Sequence, residues 1–255
     1  PTEQMLDNPQ EDYNKSLWAV RSFQRPQKSR PTDGTLPVIS VKNVDAAYTG
    51  GVKVLDDVSF DVYPGMTVAV VGESGSGKST TARVITGLLP PSSGEVLFKG
   101  EPLPPRYQDR KRDQLRQAQM IYQMADTALN PKVRINEIIG RPAQFYSGLR
   151  GQALKQRVDE LLDLIELEPA KFYNRYPPEL SGGQKQRIGI ARALAAEPDF
   201  IICDEVTSAL DQLVAEGILK LLDRLQKELG LAYMFITHDL ATVRSLSLIH
   251  ISEPT

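Results

Sequence analysis

Cysteine is almost absent from this 255-residue chain. Cys203 alone cannot form an internal disulfide, and such usage fits a reducing compartment. Excess charge is lacking too. The 30 basic residues stand against 32 acidic ones, a net of -2, so nothing draws the whole molecule to nucleic acid or to an anionic membrane. No run approaches the ~18–20 apolar residues needed to span a bilayer. Pro1-Thr2-Glu3-Gln4 lacks the basic-then-apolar pattern of a signal peptide, so a membrane role would run through a partner. No internal repeat or low-complexity tract is visible. What is present is ordinary globular composition, 41% hydrophobic and 24% charged, which excludes disorder, collagen and coiled coil for the whole chain. The length suits one large α/β domain, alone or with appendages.

Residues 1–37 differ from the rest. They hold five of the 18 prolines, and Ser29 to Pro37 reads as a linker. Regular patterning starts at Val38. Val38 to Val41 and Val54 to Val62 alternate β-branched residues and read as antiparallel strands. Met66 to Val71 and Phe200 to Cys203 are continuous apolar runs, as strands buried on both faces require. Tyr233 to Ile236 is a further strand. Helices are expected over Lys78 to Leu89, Gly182 to Ala196 and Leu213 to Leu229, the last ending at Gly230. Leu154, Val158, Leu161, Leu162 and Ile165 fall on one helical face. Strands alternating with helices imply an α/β fold with a mostly parallel sheet.

Gly72-Glu73-Ser74-Gly75-Ser76-Gly77-Lys78-Ser79 fits G-x-x-x-x-G-K-[ST] between a buried strand and a helix. Glycines let backbone N–H groups converge on phosphate oxygens, and the helix N-terminus adds positive partial charge. Lys78 would reach the β- and γ-phosphates, and the Ser79 hydroxyl would ligate Mg²⁺. A glycine-rich turn before an ordinary helix is the bland alternative, but a chance match in a chain of this length is on the order of one in a hundred. Asp204 and Glu205 end the strand from Phe200, which puts carboxylates at the sheet edge where ligands of open α/β sheets bind. Asp204 is then the second Mg²⁺ partner through water, and Glu205 the group that polarises water for attack on the γ-phosphate. Cys203 reads as inert core.

Leu180-Ser181-Gly182-Gly183-Gln184-Lys185-Gln186-Arg187 lies between those motifs. With this run, residues 38 to 244 resemble the ATP-binding cassette (ABC) ATPases, whose signature is L-S-G-G-Q. The resemblance implies a P-loop NTPase fold of the ABC type: a mostly parallel core sheet, an antiparallel β subdomain, and a helical signature subdomain at about 124–190. It implies ATP and Mg²⁺, with Thr80 beside the phosphate loop as a further nucleotide contact. Tyr48 matches the aromatic that stacks on adenine, Gln123 the Q-loop glutamine that touches Mg²⁺ or attacking water, Ser208 to Asp211 the D-loop, and His238 the switch histidine. Ser181 and Gln184 form an S-x-x-Q capping box, while Gly182 and Gly183, costing ~1 kcal/mol each inside a helix, suit close approach of backbone donors to an anion. In the family that anion is the γ-phosphate held by another ATPase subunit. The resemblance therefore implies a head-to-tail dimer, with Ser181 and Gly183 completing the mate's site, formed with a second copy or with a sibling cassette of the same polypeptide.

Gln123 through Leu129-Asn130-Pro131, Arg175-Tyr176-Pro177-Pro178-Glu179, and Cys203 through Asp211 resemble the dipeptide, oligopeptide and nickel importer branch, although Met124 and Val206 depart from its usual residues. The branch implies transmembrane permease partners at a cytoplasmic membrane face, an extracytoplasmic solute-binding protein acting indirectly, and no nucleic acid. Asn8-Pro9 through Ser16-Leu17 is similar to the segment that ends ATPase subunits of this branch, so residues 1–37 are read as the tail of a preceding cassette plus linker, with an unrelated N-terminal extension as the alternative. Residues 245–255 resemble translated sequencing-adapter sequence and are read as a non-native run, which excludes His250 from any site and would leave part of the sheet uncovered. Two rivals remain: a soluble ABC ATPase of translation or repair, and a truncated nucleotide-binding module without turnover.

Overall fold

The computed structural model describes residues 34–48, 52–73, 75–238 and 248–251, the last by backbone alone. Ser74, the stretch read as a preceding tail up to residue 33, and 239–247 lie outside the described residues. Two sheets organise the rest. The antiparallel sheet runs in the order β2 (Lys53–Val62), β1 (Ile39–Ala47), β4 (Ser93–Phe98), β5 (Glu101–Pro102). Ile39 pairs with Val62 on one side and Phe98 on the other. The second sheet runs β6 (Ala118–Ile121), β7 (Phe200–Asp204), β8 (Ala232–Thr237), β3 (Thr67–Val71), β9 (Leu248–Ile251), and all its pairings are parallel. Residues 248–251 pair with β3 at the end of this sheet, in part of the region read from the sequence as a non-native run.

The continuous apolar strands serve two cores at once. In β7, Phe200 and Ile202 pack with the antiparallel sheet and α1 (Lys78–Thr86), while Ile201 and Cys203 point into the helical layer. In β8, Ala232, Met234 and Ile236 take the first side, and Tyr233 and Phe235 the second. Period-two alternation with both faces covered removes any polar face, which is why these runs carry no alternating hydrophilic residue. Each fully buried Leu, Ile or Phe contributes about 1.5–3 kcal/mol of transfer free energy.

The helical layer follows β6: α2 (Arg112–Gln117) precedes that strand, and α3 (Ala125–Ala128), α4 (Ile135–Ser147), α5 (Gly151–Leu164), α6 (Pro169–Phe172) and α7 (Gly182–Leu194) come after it. Val158, Leu161, Leu162 and Ile165 are buried, as their spacing requires. α8 (Gln212–Leu229) ends at Gly230, which adopts φ 68 as a left-handed C-cap. The helix expected over Lys78 to Leu89 stops at Thr86, because Gly87 turns left-handed (φ 77) and its N–H caps Val84. No helix among the described residues is long and apolar enough to cross a membrane.

Candidate active site

Parallel strands put all their C-terminal ends on one edge, and the strand order decides which residues meet there. β6 beside β7 brings Gln123 next to Glu205, and β8 between β7 and β3 brings His238 between the acids and the phosphate loop.

Gly75 (φ 90) and Gly77 (φ 94) take the left-handed turn that the loop after β3 needs. At Gly77 a Cβ would also lie 2.8 Å from Leu55 Cδ2 and 2.9 Å from the Val54 carbonyl oxygen, so no side chain fits. Lys78 opens α1 and is buried, 6% exposed. Its ammonium donates to the carbonyls of Gly72 (2.7 Å) and Glu73 (2.5 Å), which satisfies the charge and folds the loop into a ring around it. Ser79 Oγ donates to Asp204 Oδ1 at 3.4 Å across 125 residues of sequence. Burial raises the Asp204 carboxyl above its ordinary range, and Glu205 adds to the rise; the Ser79 hydroxyl, Arg83 and Lys78 oppose it.

Glu205 departs from the strand. Its N–H still donates to the Ile236 carbonyl (2.9 Å), but its φ is 47, unusual for a non-glycine residue. That twist turns its carboxylate toward two partners. Gln123 Nε2 donates to Oε2 at 2.6 Å, and His238 Nδ1 stands 3.3 Å from Oε1. Ser208, quoted in the sequence only as part of the D-loop match, belongs to this group: its Oγ accepts from Gln123 at 3.3 Å and donates to the Glu205 carbonyl at 3.0 Å. The amide nitrogen of Gln123 is thus set with the acid that would act as base, and neither of these bonds reaches Ser79 or Asp204.

Among the described residues no group of three or more His, Cys, Asp or Glu could cage a metal. The Ser79 hydroxyl and Asp204 carboxylate are instead hard oxygen donors at a phosphate-binding loop, a donor set that suits Mg²⁺ shared with substrate phosphates. Tyr48 leaves the end of β1 with its phenol oxygen 3.1 Å from Thr80 Oγ1 and 3.0 Å from the donating Arg83 Nη1.

The signature is built as its capping pattern predicts. Ser181 Oγ accepts from Gln184 N (3.3 Å), and Gln184 Oε1 accepts from Ser181 N (3.0 Å). Gly183, however, has a packing reason that the sequence did not show. A Cβ there would lie 2.5 Å from Val214 Cγ1, whereas one on Gly182 would make only ordinary contact with Leu210 at 3.4 Å. Asp211 caps α8 by accepting from Val214 N at 3.0 Å. The described bonds of Ser181, Gln184 and Asp211 therefore close locally, and none of them joins the signature to this chain's own phosphate loop.

Comparison with known proteins agrees with this geometry. Residues 55–208 match the ABC transporter family model. The oligopeptide transport ATP-binding protein OppF of Bacillus subtilis (strain 168) is 44% identical over 218 residues, covering 85% of this chain and 71% of that protein. OppF of Haemophilus influenzae is 47% identical over 196 residues, covering 76% of this chain and 59% of that protein, so the chain spans less than two thirds of that relative. Among solved structures, the dimeric cassette MJ0796, in a post-hydrolysis state bound to ADP and phosphate, superposes with a TM-score of 0.72 at 33% identity, over 85% of this chain and 94% of that one. The cbiO1 protein from Clostridium perfringens, part of the cbiONQ transporter complex, gives 0.71 at 30% identity over 80% of each chain. The matched span contains the phosphate loop, the signature and the acidic strand end in that order, and this chain belongs to the ABC transporter family as an ATP-binding domain.

Proposed function

We propose that this chain binds and hydrolyses ATP to power import of oligopeptides or a related small solute through separate permease subunits. The observation that carries the reading is the meeting, at one sheet edge, of a phosphate loop with Asp204 and of Glu205 with Gln123 and His238. Lys78 exchanges its two loop carbonyls for the β- and γ-phosphate oxygens, which compete well for a buried ammonium. Ser79 and Asp204 would hold Mg²⁺, which when bound neutralises phosphate charge. Glu205 orients a water and takes its proton, while Gln123 and His238 fix the carboxylate from both sides. The capped N-terminus of α7, with Ser181 and Gly183, presents backbone donors to the γ-phosphate of a partner cassette, so cleavage removes the bridge and the pair relaxes.

Permease contact has its own support. A cleft of about 850 Å³ opens between the α2–β6 face and the helices α3, α4 and α7. Tyr107, Tyr122 and Phe145 line it and stay 44%, 44% and 52% exposed. Arg112, Arg141, Arg150 and Arg192 also line it, with no acidic residue among the described lining. Arg192 is held by the Ala128 carbonyl, and Arg112 lies over the Phe145 ring. Aromatic surface beside arginines with no acidic residue in the described lining suits an amphipathic, acidic segment of a membrane subunit. The cleft reaches Tyr122, next to Gln123, so a partner seated there would sense the hydrolytic group. The names of the relatives above favour transport over a role in translation or repair.

The test is Glu205→Gln in the full chain with its permeases. ATP binding and ATP-dependent pairing of cassettes should persist while turnover falls by about 10²–10⁴-fold, the usual contribution of a positioned base. Turnover at the wild-type rate would remove Glu205 from its role.

A further inference from the structure

Arg83 stands on α1 one turn beyond Ser79, with its side chain exposed. Its guanidinium donates to the Tyr48 phenol oxygen at 3.0 Å, and that oxygen also lies 3.1 Å from Thr80 Oγ1. Thr80 is buried, 5% exposed, on the rigid first turn of the phosphate-loop helix. Tyr48 keeps 39% of its surface open and follows the last residue of β1. The ring is therefore held by its hydroxyl against α1 while part of its surface stays free. An aromatic at a strand end otherwise loses rotamer freedom only when a ligand covers it, and that ordering cost subtracts from affinity.

We infer that Arg83 is a positioning residue for base recognition: with Thr80 it pins the Tyr48 hydroxyl, so that the ring is already set as a platform for the purine. The pin joins base and phosphates mechanically, because the helix that carries Lys78 and Ser79 also holds the platform. The inference rests on the reading of Tyr48 as the stacking residue, and it assigns Arg83 no contact with the nucleotide. Because the Arg83 charge also reaches Asp204, the experiment must separate base positioning from effects at the phosphate end.

Binding of Mg·ATP and of Mg·tripolyphosphate, which has phosphates but no base, should be measured by calorimetry on the full chain. The variants are Arg83→Ala, Tyr48→Phe, their combination, and Tyr48→Ala. Arg83→Ala and Tyr48→Phe should each weaken ATP about fivefold, the worth of one exposed charge-assisted hydrogen bond, with tripolyphosphate unchanged. The combination should be no weaker than Tyr48→Phe alone, because that change already removes the bond to Arg83 together with the contact to Thr80. Equal loss for both ligands in Arg83→Ala would make Arg83 a phosphate-end charge and overturn the inference, as would no loss for ATP. Should Arg83→Ala fail to fold, Tyr48→Phe, which keeps the ring, carries the same test. Unchanged ATP affinity in Tyr48→Ala would instead refute the stacking reading itself.

Discussion

Replacing Gly183 with alanine would set a methyl 2.5 Å from Val214 Cγ1, about 1 Å short of ordinary carbon contact. Val214 cannot easily turn away. It lies in the first turn of α8, where a β-branched side chain has one strongly preferred rotamer. Overpacking of this kind costs about 1–3 kcal/mol, and alanine returns at most about 1 kcal/mol of helix propensity. The net is a loss of about 1 kcal/mol, or about 2–4 °C in Tm for a domain of this size. Urea denaturation of wild type, Gly183→Ala, Val214→Ala and the double variant should give a favourable coupling of about 1–2 kcal/mol, because removing the valine methyls removes the clash. Independent, additive effects would refute the packing argument. ATP-dependent association of the double variant then separates the two reasons for a glycine here. Restored stability without restored association would mean that the signature backbone also needs the missing side chain to reach a phosphate.

Asp211→Ala should lower stability by about 1 kcal/mol through loss of the cap on Val214 N, while Asp211→Asn should keep most of it. Equal loss in both, seen by thermal melting, would point to the charge rather than the cap. Cys203 is fully buried on β7, and burial pushes its thiol far up, so a thiol reagent should not label the folded chain and should label one site in denaturant. Rapid labelling of native protein would displace β7 from the interior of the sheet.

Much of this was legible in the residues because it depends on local chemistry. The apolar runs at Met66 to Val71 and Phe200 to Cys203 can satisfy themselves only as doubly buried strands, and both are. The phosphate loop, the Ser181–Gln184 box and the glycine after Leu229 are short-range devices whose partners lie within a few residues. Legibility failed where a residue's reason lies far along the chain. Gly183 answers to Val214, Ser208 to Gln123, and Arg83 to Tyr48, pairs separated by 31, 85 and 35 positions that no periodicity encodes. The left-handed backbone of Glu205 was equally hidden, since the residue type argues against it.

The amino-acid sequence by itself determined which strands are buried, where a phosphate would sit, and which helix carries the signature, because these follow from period, glycine placement and capping. Only the tertiary structure decided how those parts meet. The strand order placed Gln123, Glu205 and His238 on one edge, set Asp204 against Ser79, and closed the signature against α8. The physical reason is that parallel pairing fixes the direction of every strand but leaves their order free, and neighbours in a sheet need not be neighbours in the chain.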